Sequence, residues 1–459
     1  MQAWEMNKPN VILLTIDALR ADMLGCYGHI PSVTPNLDQL SAAGIRFQQA
    51  ITGGSWTQAA FPVLLTSTYA SMHGGCLGPL SLERPSPIAA LAENGYTTGG
   101  FSTSPLLSRM YGYHRGFHHF VDLVPGESDP LLRRFKGGER LLRSPATHYL
   151  TGMLGVHMRP ARVYVSAEEL TDMLCAWLEN VEGPFFAWAH YMDVHWPYHL
   201  EERLIQPREI AQTWRDLTHL YRVNWKGASI TSAQREHYIR LYEQALQYTD
   251  DQIGRFIKTL DKLGHLANTI VIITSDHGEE FMERGRWGHL EINLYDEILK
   301  VPLIINLPDL LGSRVIQRQV RLLDLMPTIL DLCTCLPPEG LQGTSLVPLW
   351  TQDSFGNEAE ISISERLRND SHIVAVRTEA FKYIWDSRHP HQAKLHDLQF
   401  DPGERYNVSL RYPELSRKFQ DCVATHISLV SQTSPKHQVL EPIMEDEILR
   451  RLRDLGYVE

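Results

Sequence analysis

Long apolar runs are missing from this 459-residue chain. The longest near the start, Val11 to Ile16, stops at Asp17, far short of the about 20 residues that a spanning helix needs. The first residues, MQAWEMNKPN, lack the charged-then-apolar pattern of a signal peptide. Both absences predict a soluble, cytoplasmic protein with no membrane partner. Cysteine is scarce and scattered, six residues without a C-x-x-C pair, which fits a reducing compartment and argues against a disulfide framework. Cys333 and Cys335 stand too close together for a zinc site and read as small apolar fillers near a helix end. Positive charge is short as well. The formal net charge is −11 and no basic stripe stands out, so nucleic acid is not an expected partner. Internal repeats and low-complexity tracts are also missing.

What is present is an ordinary globular composition, 43% apolar and 21% charged. The length fits one large domain with a smaller one. Short, continuous apolar runs recur between helical segments: Asn10 to Ile16, Thr97 to Thr103, Pro184 to His190, Thr269 to Ser275 and Val301 to Asn306. Such runs predict an α/β fold with a mostly parallel central sheet covered by helices on both faces. Residues from about 127 to 250 are less regular, with a basic cluster (Arg133, Arg134, Lys136, Arg140, Arg143), and are expected to form a largely helical insertion. After Thr351 short strands alternate (361–364, 373–377, 381–385) and helical segments follow from Glu414. We therefore expect a catalytic domain over 1–355 and a small α+β subdomain with an antiparallel sheet over 356–459.

Parallel sheets place ligands at the carboxyl ends of their strands, and the chemistry-bearing residues cluster there. Asp17 ends the first run. It suits a metal ligand and equally suits a helix cap. Asp276 and His277 end the run Ile272-Ile273-Thr274-Ser275, followed by Gly278. A carboxylate with a neutral imidazole suits Zn²⁺ or Mn²⁺, whereas Ca²⁺ leans more on oxygen. Two strand ends carrying acids favour the metal reading over two separate caps. The run ending at His190 leads into Tyr191-Met192-Asp193-Val194-His195. There His190 reads as a satisfied structural residue, and His195 as a group that holds an anionic oxygen or protonates a leaving group. His289, twelve residues beyond His277, can fold back toward the metal pair. The stretch Ser55-Trp56-Thr57-Gln58 leads into an apolar helix, with Pro62 expected early in it, and Thr57 is either its cap or a reactive hydroxyl.

Taken together and in order, these segments resemble the sulfatase family of the alkaline phosphatase superfamily. The match runs through Asn10 to Asp17, Thr34-Pro35-Asn36-Leu37, Leu64-Leu65-Thr66-Ser67, His73-Gly74, Ser275 to Glu280, Val301-Pro302-Leu303, Leu323 to Thr328, Gly343-Thr344-Ser345-Leu346 and Asp401-Pro402-Gly403-Glu404. The resemblance implies a nucleophile just before the Leu64-Leu65-Thr66 helix, and counting back places it at Thr57. In sulfatases that position is Cys or Ser in C/S-x-P-x-R, oxidised to formylglycine. Here Ala59 holds the Pro position and Phe61 the Arg position, so no formylglycine is expected. Thr57 would instead act as the nucleophile, as threonine does in phosphoesterase and phosphotransferase branches of the superfamily.

By the same resemblance, Asp17, Thr57, Asp276 and His277 hold a divalent metal, and His195 and His289 contact the transferred group or the leaving group. The family's second acid is replaced by Ala18 and its Asn by His277. Both changes favour Mn²⁺ or Zn²⁺, with Ca²⁺ the third candidate. The expected activity is metal-dependent hydrolysis of phosphate or phosphonate (di)esters or sulfate esters through a covalent intermediate on Thr57. Three alternatives stand beside it: an arylsulfatase-like sulfuric ester hydrolase working without formylglycine, a phospho-group transferase, and a degenerate binding protein. The expected partner is a small anionic ester, with homo-oligomerisation left open.

Overall fold

The computed structural model describes residues 8–122, 164–196, 198, 207–289, 293–308, 310, 312–351, 361–368 and 371–433. Among them an eight-stranded sheet forms the centre. Its strands are β1 (Asn10–Ile16), β2 (Ile45–Ile51), β3 (Thr97–Ser102), β4 (His119–Asp122), β5 (Phe185–Tyr191), β6 (Thr269–Thr274), β9 (Lys300–Asn306) and β10 (Arg314–Arg321). The spatial order is β10-β2-β9-β6-β1-β5-β3-β4. The three central strands β6, β1 and β5 pair in parallel and are buried along their whole length. The two sides of each feed different cores. Val11 and Leu13 of β1 join Phe186 and Trp188 of β5 on one face, packed against the helices Thr57–Thr66, Pro87–Glu93 and Leu325–Leu332. Ile12, Leu14 and Ile16 join Ala187 and Tyr191 on the other, under the helices Pro35–Ala42, Ala167–Leu178, Pro207–Lys226 and Ser232–Lys262. Two covered faces are what continuous apolar strands require, and the expected helix-flanked sheet is present.

One strand departs from the parallel expectation. The run Val301 to Asn306 forms β9, which is antiparallel to both β2 and β6. The reason lies in what precedes it. A parallel return needs a crossover to the opposite end of the sheet. The described residues between 275 and 299 (275–289 and 293–299) instead stay at the carboxyl end of β6, where they make the small hairpin β7 (Glu280–Phe281) and β8 (Trp287–Gly288) and the one-turn helix Asp296–Leu299. The chain therefore enters β9 from that same end.

Of the segment expected to be a helical insertion, 164–196 and 207–250 contribute β5 and helices that line the second core, and 123–163, with its basic cluster, lies outside the described residues. A second sheet follows, antiparallel, in the order β11 (Ser362–Arg368), β12 (Ser371–Arg377), β13 (Phe381–Asp386), β14 (Lys394–Asp397), with the helix Pro413–Ser431 beside it. The expected domain border at 355/356 falls outside the described residues. This sheet is tied to the main body by buried charge. Lys382 Nζ lies 2.5 Å from Asp296 Oδ1 and 2.9 Å from Glu404 Oε1, and Arg377 Nη2 lies 2.8 Å from Asp296 Oδ2. Burial disfavours ionised Asp296, but the Lys382 and Arg377 charges more than offset it and hold the carboxyl far below its usual range. All six cysteines are free, and Cys333 and Cys335 are buried just past the end of the Leu325–Leu332 helix.

Candidate active site

Two neighbouring strands deliver the acids. β1 and β6 pair in register up to Thr15 and Thr274, so Asp17 and Asp276 emerge side by side at the carboxyl end. Both turns are held by backbone geometry. Ala18 adopts φ 55°. Ser275 Oγ accepts from Leu19 N at 2.9 Å and donates to Ile16 O at 2.6 Å, stitching the two turns together. Gly278 permits a close pass: a Cβ there would lie 2.2 Å from the Glu297 carbonyl oxygen. Its N–H donates to Ile298 O at 2.7 Å.

Asp17, Asp276 and His277 are fully buried, and one ligand atom from each lies within 4.8 Å of the others. His277 Nε2 is 3.7 Å from Asp17 Oδ1 and 3.4 Å from Asp276 Oδ2. His277 Nδ1 meets Gly278 O at 2.9 Å, a contact that requires the proton on Nδ1 and leaves the Nε2 lone pair toward the carboxylates. Asp17 Oδ1, Asp276 Oδ2 and His277 Nε2 make no hydrogen bond. Three buried, unpartnered donors facing one point fit a divalent cation, because leaving them bare is costly. Burial and the charge of Asp17 push the Asp276 carboxyl up to about 6. Burial also disfavours ionised Asp17, yet the imidazoles of His195, His190 and His277 hold it well below the usual range. The pair thus carries one negative charge below about pH 6 and two above it, and a bound cation would favour the doubly charged state.

Around this trio sit the histidines. His190, which the sequence reading treated as structural, is bonded directly to Asp17: its Nε2 lies 3.1 Å from Asp17 Oδ2, and its Nδ1 lies 2.9 Å from Thr15 Oγ1. Trp188 Nε1 donates to the same threonine oxygen at 3.0 Å. The chain of bonds closes if Thr15 donates to Nδ1 and Nε2–H donates to Asp17, which fixes the carboxylate from behind. The rings of His277 and His289 are 4.3 Å apart, and those of His195 and His289 4.7 Å. His289 Nδ1 lies 3.0 Å from Glu279 Oε1, whose other oxygen accepts from Tyr198. Burial and the neighbouring His277 and His195 rings push His289 well below the usual histidine value, and burial does the same to His195. Glu279 was not singled out in the sequence, although its place two residues after His277 was on view.

Thr57 opens the buried helix Thr57–Thr66, and its N-cap is Trp56, which offers no side-chain cap. Thr57 is therefore the first helical residue and not the cap. Pro62 lies well inside this helix rather than early in it. Phe61, one turn after Thr57 and on the same face, sets its ring edge-on to His190 at 4.9 Å. The Thr57 face of the helix is thereby packed toward the histidine that holds Asp17.

Fold and cluster together define an α/β protein of the alkaline phosphatase-like superfamily. The family model "Sulfatase" matches residues 9–334, and this chain belongs to the sulfatase family, hydrolases that act on ester bonds and bind a divalent metal. A second model, the N-sulphoglucosamine sulphohydrolase C-terminal region, matches residues 285–426. The chain is 27% identical over 446 residues to arylsulfatase A of Homo sapiens, covering 87% of this chain and 83% of that one. It is 25% identical over 438 residues to an arylsulfatase of Clostridium perfringens, covering 87% and 90%. In fold it is similar to the phosphonate monoester hydrolase of Agrobacterium radiobacter, with a TM-score of 0.70, 21% identity and coverage of 93% and 96%. Among the described residues no helix is long and apolar enough to cross a membrane.

Proposed function

We propose that this protein hydrolyses phosphate or phosphonate esters of small alcohols through a covalent intermediate on Thr57. The observation that carries the reading is the convergence of three buried, unpartnered ligand atoms, with the helix that the buried Thr57 opens packed through Phe61 against His190, the partner of Asp17. A divalent cation held by Asp17, Asp276 and His277 would supply the positive charge that lowers the pKa of the Thr57 hydroxyl and steadies the anionic substrate. Two carboxylates and a neutral imidazole favour Mn²⁺ or Zn²⁺ over Ca²⁺.

Thr57 Oγ loses its proton and attacks phosphorus. The new P–O bond forms as the bond to the alcohol oxygen breaks. The amino end of the Thr57–Thr66 helix adds partial positive charge near the attacked group. His289 and His195 are kept neutral by burial, with Nδ1 facing Glu279 and the Trp196 carbonyl respectively. In that tautomer each presents an unprotonated Nε2. One of them takes a proton first and then returns it to the departing alkoxide. Water then attacks the threonyl phosphate and gives its proton to the same imidazole; the P–O bond to Thr57 breaks as the new one forms, and the imidazole returns the proton to Thr57 Oγ.

The nucleophile bears on the transferred group. A formylglycine hydrate can expel sulfate by eliminating through its second hydroxyl. A threonyl sulfate has no such route, whereas a threonyl phosphate is open to in-line attack at phosphorus. Sulfate esters are the second reading, favoured by the arylsulfatases to which the chain is similar. The test is a paired assay with Mn²⁺, Zn²⁺ or Ca²⁺ on nitrophenyl sulfate, phosphate monoester, phosphate diester and phenylphosphonate. Diester or phosphonate turnover that falls by about 10³-fold or more in Thr57→Ala supports the reading. Dominant sulfate turnover overturns the choice of phosphorus. Undiminished turnover in Thr57→Ala overturns the nucleophile.

A further inference from the structure

We infer that Thr52 is a positioning residue that locks the metal-ligand turn to the loop carrying Thr57. This rests on the reading of Asp276 as a metal ligand and, for its catalytic half, on Thr57 as nucleophile. Thr52 follows β2 directly and is 1% exposed. Each of its three polar groups is bonded to a different segment. Its N–H donates to Leu299 O at 2.9 Å. Its hydroxyl donates to the main-chain oxygen of Asp276. Its carbonyl accepts from Ser364 Oγ at 2.6 Å.

These three partners fix the site from three directions. Leu299 closes the one-turn helix whose Ile298 carbonyl holds Gly278, the residue after His277. Ser364 belongs to β11, the first strand of the C-terminal sheet, and the next residue of that strand continues the grip: Glu365 N donates to Gly53 O at 2.9 Å. Beyond Thr52 the chain is pressed onto the helix that Thr57 opens. A Cβ on Gly53 would meet Val63 at 2.6 Å, and one on Gly54 would meet the Ala59 backbone at 2.5 Å. The loop therefore has no slack between its anchor at Thr52 and Thr57. The hydroxyl of Thr52 is a direct side-chain bond between this loop and the Asp276 turn. Its loss would leave the Asp276 carbonyl underbonded and let ligand and nucleophile drift, and positional errors of about 1 Å can cost about 10²-fold in rate.

The test uses the full chain with Thr52→Val, which keeps the shape and removes the hydroxyl, and Thr52→Ser, which restores it. Mn²⁺ affinity is measured by calorimetric titration, kcat and KM are measured on the best substrate of the assay above, and thermal unfolding is followed in parallel. The expected result is a loss of Mn²⁺ affinity of about 10-fold or more in Thr52→Val, the size seen when a ligand's outer partner is removed, with kcat falling more than KM changes and Thr52→Ser within a few-fold of wild type. Ser364→Ala removes only the outer anchor and is expected to lower kcat without abolishing folding, so it decides the matter if Thr52→Val does not fold. Wild-type Mn²⁺ affinity and kcat in Thr52→Val, or in Ser364→Ala where Thr52→Val is lost, overturns the inference. So does failure of Thr52→Ser to recover, or a wild-type protein that binds no Mn²⁺. Undiminished activity in Thr57→Ala with weakened Mn²⁺ binding in Thr52→Val sinks the threonine nucleophile alone and leaves the Thr52 lock standing.

Discussion

Replacing Asp276 with asparagine is expected to make the metal-free protein more stable while destroying its response to metal. The carboxyl is fully buried and is pushed from the ordinary 3.8 to about 6, first by burial and then by the charge of Asp17. The folded state thus binds this proton more tightly than the unfolded chain does. A raised carboxyl costs nothing below about pH 4, costs progressively more as pH climbs toward about 6, and costs its full amount above that, about 3 kcal/mol in all. Asparagine carries no charge to desolvate. Its carbonyl oxygen can keep the bonds that Oδ1 accepts from His277 N at 3.0 Å and Ala18 N at 3.4 Å. Its amide N–H would face the His277 Nε2 lone pair, now 3.4 Å from Oδ2. At about pH 7.5 in EDTA, Asp276→Asn should therefore unfold a few degrees above wild type, given roughly 2 °C per kcal/mol or less for a chain this long. Mn²⁺ at about 1,000-fold excess over Kd should reverse the order, because it adds about 4.1 kcal/mol to a chain that binds it. At about pH 4.5 in EDTA the two melting curves should converge. A variant no more stable than wild type in EDTA at about pH 7.5 would refute the account of a strained, cation-seeking carboxylate.

Three other substitutions probe the surroundings. His190→Ala removes the bond to Asp17 Oδ2 and should weaken Mn²⁺ binding by about 10- to 100-fold; calorimetric titration giving unchanged affinity would return His190 to a structural role. Phe61→Ala opens a cavity among Trp188, Tyr113 and His190 and should cost about 3–5 kcal/mol, read from denaturant unfolding. Lys382→Met leaves Asp296 and Glu404 facing each other in a buried site without their shared lysine; the expected loss is about 3–5 kcal/mol, and a loss below about 1 kcal/mol would show that Arg377 alone suffices.

Much of the fold and the centre of the site were legible in the sequence for one physical reason: strands buried on both faces write themselves as unbroken apolar runs. β1, β5 and β6 are of that kind, and the acids at their ends were visible as interruptions. β2 and β10 were not read as strands. β2, Ile45-Arg46-Phe47-Gln48-Gln49-Ala50-Ile51, mixes buried and half-buried positions, and β10, Arg314 to Arg321, is an edge strand that exposes Arg314, Val315 and Gln317. Strand direction is not written in composition either, so β9 looked like its parallel neighbours. The tie of His190 to Asp17 was not legible because it depends on reaching Asp17 from an adjacent strand, a relation fixed by the register that pairs Thr15 with His190. Cap and first helical residue at Trp56 and Thr57 differ by one position, finer than residue preferences resolve.

Gly278 has a consequence outside the reaction. The gap to Glu297 O leaves no room for any side chain, whether or not the neighbouring residues bind anything. A descendant of this chain could exchange Asp276, His277 and Thr57 for inert residues and still be obliged to keep glycine here, because the turn into β7 would not otherwise close. When catalogues of such proteins are sorted into working and retired enzymes, that glycine is therefore a silent witness. It testifies to ancestry and architecture, and only the atoms that face the centre testify to whether the work is still done.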